Sequence, residues 1–197
     1  MRVLPFFLLL IVLFLYACSP VTPAPQPQGE PDAGYPLDTK TGIQEIDDIL
    51  SAVSGDASEL QSLVRFTTAP CTTADGLGGP PKCREGEADG TLVEVLPVIG
   101  GEGGFIRKEE IGSWPGVDAG ALYAIYRVSE DALREEYYPP GEYILVFMPD
   151  ENGIATALRV AEGGIVRVDT LLGGFPDSLE VVIQRDASEV ILPPKTR

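Results

Sequence analysis

Three apolar, β-branched runs at residues 142–148, 154–160 and 165–172 are separated only by short turns, and they limit the fold more than any other feature. The first connection holds Asn152-Gly153 and the second Gly163-Gly164, dipeptides suited to the positive φ angles of tight hairpins. Strands joined so closely must pair antiparallel, which predicts a three-stranded meander. Further strands are expected at 91–98, where Pro97 suits a sheet edge, at 121–128 and at 179–185. Upstream, Ile43, Ile46, Ile49, Leu50 and Val53 recur at helical spacing and predict an amphipathic helix over 42–54. Thr41 and Gln44 suggest its capping box and Gly55 its stop. Asp56 and Glu59 open a second helix over 57–66, with Leu60, Leu63 and Val64 on its apolar face. Short helices are expected at 107–112 and 129–137, and the last five residues are expected to fray. The predicted class is therefore α+β: N-terminal helices packed on one face of a curved, mainly antiparallel sheet, in a single domain over 42–197.

The N-terminus carries an address. Arg2 precedes an unbroken apolar run that reaches Ala17, and residues 3–17 are too few to span a bilayer. Such a run fits the apolar core of a secretory signal. It ends in Leu15-Tyr16-Ala17-Cys18, which resembles the lipobox of bacterial lipoproteins, with Tyr16 where a small or β-branched residue is usual. The resemblance implies a signal peptide over 1–17, removed so that Cys18 becomes a lipid-modified N-terminus. It also implies residence at the cell membrane, anchored on the extracytoplasmic side. Residues 19–40 then hold six prolines and almost no large apolar side chains, so 18–41 reads as a lipidated cysteine followed by an extended tether.

Composition removes several functions. With 14 Lys+Arg against 30 Asp+Glu the net charge is -16, a field that repels phosphate backbones, so nucleic acid is not an expected partner. There are 0 histidines, which excludes Ser-His-Asp and Cys-His catalysis and all His-ligated metal sites. Three cysteines are present. With Cys18 assigned to lipid, Cys71 and Cys83 remain as a pair, and an exported protein is expected to join them as a disulfide. Zinc would need two more soft ligands, and eleven residues lie between these cysteines where a redox motif has two. No cofactor or metal is expected. The run GGEGG at 100–104 lacks the Lys and Ser/Thr of a phosphate loop and reads as a turn, as does Asp150-Glu151-Asn152-Gly153.

The order of elements, with Gly55-Asp56-Ala57 between the first two helices, resembles the nuclear-transport-factor-two-like family of cone-shaped α+β domains over about 42–172. That family includes isomerases and dehydratases as well as binding modules. The resemblance implies a carboxylate base and a phenol donor inside the cone, for which Asp169, Glu94, Tyr123, Tyr126 and Tyr143 are the candidates here. Asp169 shares a strand face with Arg167, however, and with Arg127 and Arg159 nearby it reads more simply as part of a solvated, ion-paired sheet face. The expected function is thus a membrane-anchored, non-catalytic module for an unknown protein or small-molecule ligand. The alternative is a cone-type isomerase or dehydratase acting on a small organic molecule.

Overall fold

A computed structural model describes residues 34–76, 78–100, 104–132, 134–172 and 174–195. The signal segment, Cys18, the tether as far as residue 33 and residues 101–103 of the glycine-rich turn lie outside the described residues. In chain order the elements are α1 (Gln44–Ser54), α2 (Ala57–Ser62), β1 (Thr67–Pro70), β2 (Leu92–Ile99), β3 (Gly104–Arg107), a 3-10 helix (Lys108–Ser113), β4 (Leu122–Val128), β5 (Tyr143–Phe147), β6 (Ala155–Ala161), β7 (Gly164–Leu171), α3 (Asp177–Asp186) and β8 (Ala187–Leu192). The class is α+β, with eight strands in one mostly antiparallel open sheet. No described helix is long and apolar enough to cross a membrane.

Strands β4 to β7 form the middle of the sheet, paired antiparallel in sequence order. The two turns within this block are built as their residues dictate. Asp150 Oδ1 accepts from the backbone N–H of Asn152 and of Ile154, closing the first turn. In the second, Glu162 (φ 50°) and Gly163 (φ 67°) both take left-handed backbone, the geometry of a two-residue hairpin loop. Gly164 serves a different need. A Cβ there would lie 2.5 Å from the Leu63 carbonyl oxygen, because residues 63–65 run against the start of β7.

The sheet is not flanked on one face only, as the sequence suggested. One face packs on α1, α2 and the 3-10 helix. Ile46, Ile49 and Leu50 of α1 are buried there with Leu122, Leu145, Phe147, Leu158 and Val160, each such side chain contributing about 1.5–3 kcal/mol. The other face meets α3, where Leu179 is buried with Ala124, Tyr126, Ile144, Val146, Ala155 and Ala157. Residues 179–185 are therefore helix, not strand. Pro176 precedes the helix, Asp177 and Glu180 stand in its first turn and Arg185 in its last, an arrangement that suits the helix dipole. Leu179 and Ile183, one turn apart, then face the sheet. After α3 the chain adds β8 along the β4 edge, a strand the periodicity did not announce.

Other expectations also change. Thr41 does not form a capping box with Gln44. Instead Thr41 binds Asp47 through both its backbone N–H and its hydroxyl, at 2.8 and 2.9 Å. Asp56 does cap α2, accepting from the N–H of Ser58 and Glu59. The described residues of 129–137 hold turns and no helix: the Ser129 N–H donates to the carbonyl of Asp186, and Pro139-Pro140 follow after Tyr138. The C-terminal segment is tied down as far as Lys195, whose ammonium donates to the Gly34 carbonyl at 3.2 Å and lies over the Tyr35 ring. Tyr35 in turn bridges Leu122 of β4 and donates its hydroxyl to the Pro193 carbonyl, so the chain joins the sheet well before residue 42.

Strand β2 is not an edge strand. Val95 pairs with Thr67 of β1 and with Arg107 of β3, while Val98 pairs with Gly104 of β3 and, in parallel, with Val168 of β7. A residue has two edges, so β3 lies on one side of β2 while β1 and then β7 lie on the other. Pro97 is tolerated because it falls between the last β1 partner, at Val95, and the first β7 partner, at Val98. The outermost strand at this end is β3.

Candidate functional site

Two arrangements of charged side chains stand out, one beneath α3 and one around the disulfide. Beneath α3, Arg159 of β6 is 0% exposed, Asp169 of β7 4% and Asp186 of α3 1%. Arg159 donates from Nε to Asp169 Oδ2 at 2.8 Å and from a terminal nitrogen to Asp186 Oδ2 at 2.7 Å. Arg167 grips Asp169 through two nitrogens at 2.6 and 3.0 Å, and Arg185 grips Asp186 at 2.7 and 3.0 Å. The face expected to be solvated is therefore dry, because α3 closes over it. Arg127 takes no part. It pairs with Glu189 of β8 at 3.0 Å and lies over the Tyr143 ring.

This geometry governs what Asp169 can do. Arginine donors take three of the roughly four acceptor sites of this carboxylate, and the residue is 4% exposed, so the group is engaged as an ion-pair partner. Burial pushes the Asp186 carboxyl up, but the hydrogen bonds and charges of Arg185 and Arg159 outweigh it and hold the group below the ordinary carboxylate range. The other candidates are dispersed. Tyr126 shares the α3 face but stands three strands away, about 14 Å at ~4.8 Å per strand. Burial, helped by neighbouring Tyr123, pushes its phenol up to about 12. Tyr123 packs edge-on against Phe175 at 4.6 Å. Tyr143 lies on the opposite face of the sheet, and Glu94 is an exposed partner of Lys108 at 2.8 Å. The five residues build no base and donor pair around one space.

The second arrangement holds the other cysteines. Cys71 and Cys83 are joined as a disulfide, with Cα atoms 4.9 Å apart. The loop they close lies against the end of the sheet. There Arg107 of β3, 5% exposed, donates twice to the Glu87 carboxylate, at 2.7 and 2.6 Å, and once to the Lys82 carbonyl at 2.8 Å. Glu87 also accepts from the Arg84 N–H at 2.8 Å. The Arg107 hydrogen bond and then that of Arg84 hold the Glu87 carboxyl well below its usual 4.5, at about 2. Glu87 is also near both sulfurs. Among the described residues Cys71, Cys83 and Glu87 bring ligand-type atoms within 4.8 Å of one another, but a disulfide offers no thiolate to a metal.

Between this loop and β3 runs a groove of about 460 Å³. Gly76, Gly79 and Pro80 line one wall and Gly104 and Phe105 the other, with Lys82, Arg84, Arg107 and Glu110 among them. Sequence reasoning found the disulfide but not the groove, since the contact of the loop with β3 depends on Arg107, which no local pattern pairs with Glu87. Because a carboxyl with a lowered folded pKa stabilises above its unfolded value, the Glu87 contribution is complete above about pH 4.5 and fades as pH falls toward about 2. Urea midpoints measured down that range are expected to fall more steeply for the wild type than for Glu87→Gln. Parallel curves would contradict the assignment.

No protein-family model matches the chain, no curated protein is similar to it, and no solved structure resembles it.

Proposed function

We propose that the chain is a lipid-anchored protein of the extracytoplasmic membrane face whose folded domain binds a partner without performing chemistry. The observation that carries the location is the apolar run ending in Leu15-Tyr16-Ala17-Cys18, followed by a proline-rich stretch unable to form a core. The Cys71–Cys83 disulfide supports it, since such a bond persists in an oxidising compartment. The binding role is supported by the burial of Asp169 in arginine ion pairs and by the groove beside the disulfide loop.

The test of the anchor is direct. Intact-mass analysis of membrane-extracted protein is expected to show loss of residues 1–17 and a diacylglycerol on Cys18. Cys18→Ser is expected to abolish both the lipid and the processing. Unchanged processing and anchoring of that variant, or a mature N-terminus elsewhere, would refute this reading.

A further inference from the structure

The groove beside the disulfide loop has a wall of unusual chemistry. Strand β3 pairs with β2 along one edge, and among the described residues no strand pairs with its other edge, although the Arg107 carbonyl, at the N-cap of the 3-10 helix, takes the first bond of that helix. The register fixes which groups that outer edge presents. Pro97 has no N–H and stands opposite Phe105, so the pairs able to exchange both bonds are Leu96 with Ile106 and Val98 with Gly104. The N–H and C=O of Phe105 and the N–H of Arg107 are then left pointing outward, beside the groove that both residues line. Space is present as well: among the described residues, and its chain neighbours aside, a Cβ built on Gly104 would meet no atom but the Val98 carbonyl oxygen, at 3.8 Å.

The charges of the lining are unevenly satisfied. Arg84 pairs with Glu109 at 2.6 Å and with Glu110, and Arg107 pairs with Glu87. Exposed Lys82 donates only to the Ala74 carbonyl, at 3.0 Å, and no described carboxylate lies within ion-pair distance of it. An ammonium has three donors, so two remain for a ligand. Lys82, Arg84 and Arg107 cancel Glu87, Glu109 and Glu110, so on a chain of net charge -16 the groove is locally neutral, with Lys82 as a cation that no carboxylate engages. A strand edge with unsatisfied backbone groups beside an unpaired cation fits an extended peptide that carries a carboxylate.

Building on the binding-module reading, we propose that this groove takes an extended, carboxylate-bearing peptide segment of a partner protein, paired along the outer edge of β3 and held by Lys82. Main-chain bonds to Phe105 and Arg107 supply the register, and Lys82 selects an acidic side chain. The Phe105 ring, braced by Tyr138 with ring centroids 5.2 Å apart, offers an apolar contact for a neighbouring peptide side chain.

The probe is a short fluorescein-labelled peptide of alternating valine and threonine with one central glutamate, titrated into the full-length mature chain in detergent. Saturable anisotropy is expected, and a benzophenone form of the peptide should crosslink to residues of the groove. Changing the central glutamate to glutamine should weaken binding up to about fivefold, the range of a partly exposed ion pair. Lys82→Gln should weaken the glutamate peptide by the same factor and leave the glutamine peptide unchanged. Methylating alternate peptide nitrogens should abolish binding in one set and spare it in the other, because only alternate amides face β3. Equal losses for both methylated sets, equal effects of Lys82→Gln on both peptides, or no saturable binding would overturn the proposal. Crosslinks confined to α3 or β8 would overturn the groove while leaving a binding module. A missing lipid on Cys18 would count against the anchor and leave these titrations as they stand.

Discussion

Arg159→Ala is expected to destabilise the folded chain by about 3–5 kcal/mol, the usual cost of removing one partner from a buried charge network. The side chain is fully buried and is the bond between the sheet and the last residue of α3. Without it, Asp186 keeps Arg185, and Asp169 keeps Arg167, but the charge holding the two carboxylates together is gone. Repulsion between them should lift α3 first. Urea denaturation followed by circular dichroism reads the loss, and hydrogen exchange should show the helix amides opening ahead of those in β5 and β6. Arg159→Met combined with Arg167→Met, Asp169→Asn and Asp186→Asn should recover part of the loss, because it removes the buried charges together and leaves only the half-exposed Arg185. A loss below about 1 kcal/mol for Arg159→Ala would mean that water reaches this network after all.

The second large effect is expected from Cys71→Ala with Cys83→Ala. The pair is 12 residues apart in sequence, and closing a loop of that size contributes about 3 kcal/mol in the chain-entropy model. Here the bond also holds the loop that buries Arg107. The double variant should therefore lose affinity for the glutamate peptide as well as stability, whereas Arg159→Ala should affect stability with little change in peptide affinity. Retention of the full urea midpoint by the cysteine variant would show that the Glu87–Arg107 contact suffices to fasten the loop.

What could be read in advance was what local chemistry decides. Asn152-Gly153 and Gly163 set their hairpins through backbone preference, with Glu162 rather than Gly164 as the second loop residue, and the isoleucines of α1 fell on one face by spacing alone. Period-two alternation correctly put Arg167 and Asp169 on a common face, and Arg159 pairs beside them, but Arg127, grouped with them from the sequence, belongs to the opposite face with Tyr143 and Glu189. Whether the face of Asp169 was wet depended on a segment that begins eight residues after it. Val181 and Ile183 made that segment look like a strand, although Leu179, Ile183 and Asp186 also fit one helical stripe. The cover chosen by tertiary packing reversed the expected exposure of Asp169. The groove was illegible for a similar reason. Lys82 and Phe105 belong to separate segments, which the contacts of Arg107 with Lys82 and Glu87 and of Arg84 with Glu109 and Glu110 bring together.

Both ends of the folded chain are fastened at one corner. Gly34 and Tyr35 enter beside Leu122, and Pro193 and Lys195 close on them. Counting from β4 to β3, the groove lies five strands away across the sheet, about 24 Å at ~4.8 Å per strand. Ends this close favour circular permutation: a short linker from Lys195 to Gly34, with new termini cut between Asn152 and Gly153, would keep every strand pairing intact. In the natural order, a fluorescent reporter joined directly behind Lys195 would begin at that same corner, leaving the opposite rim of the sheet unobstructed for partner capture.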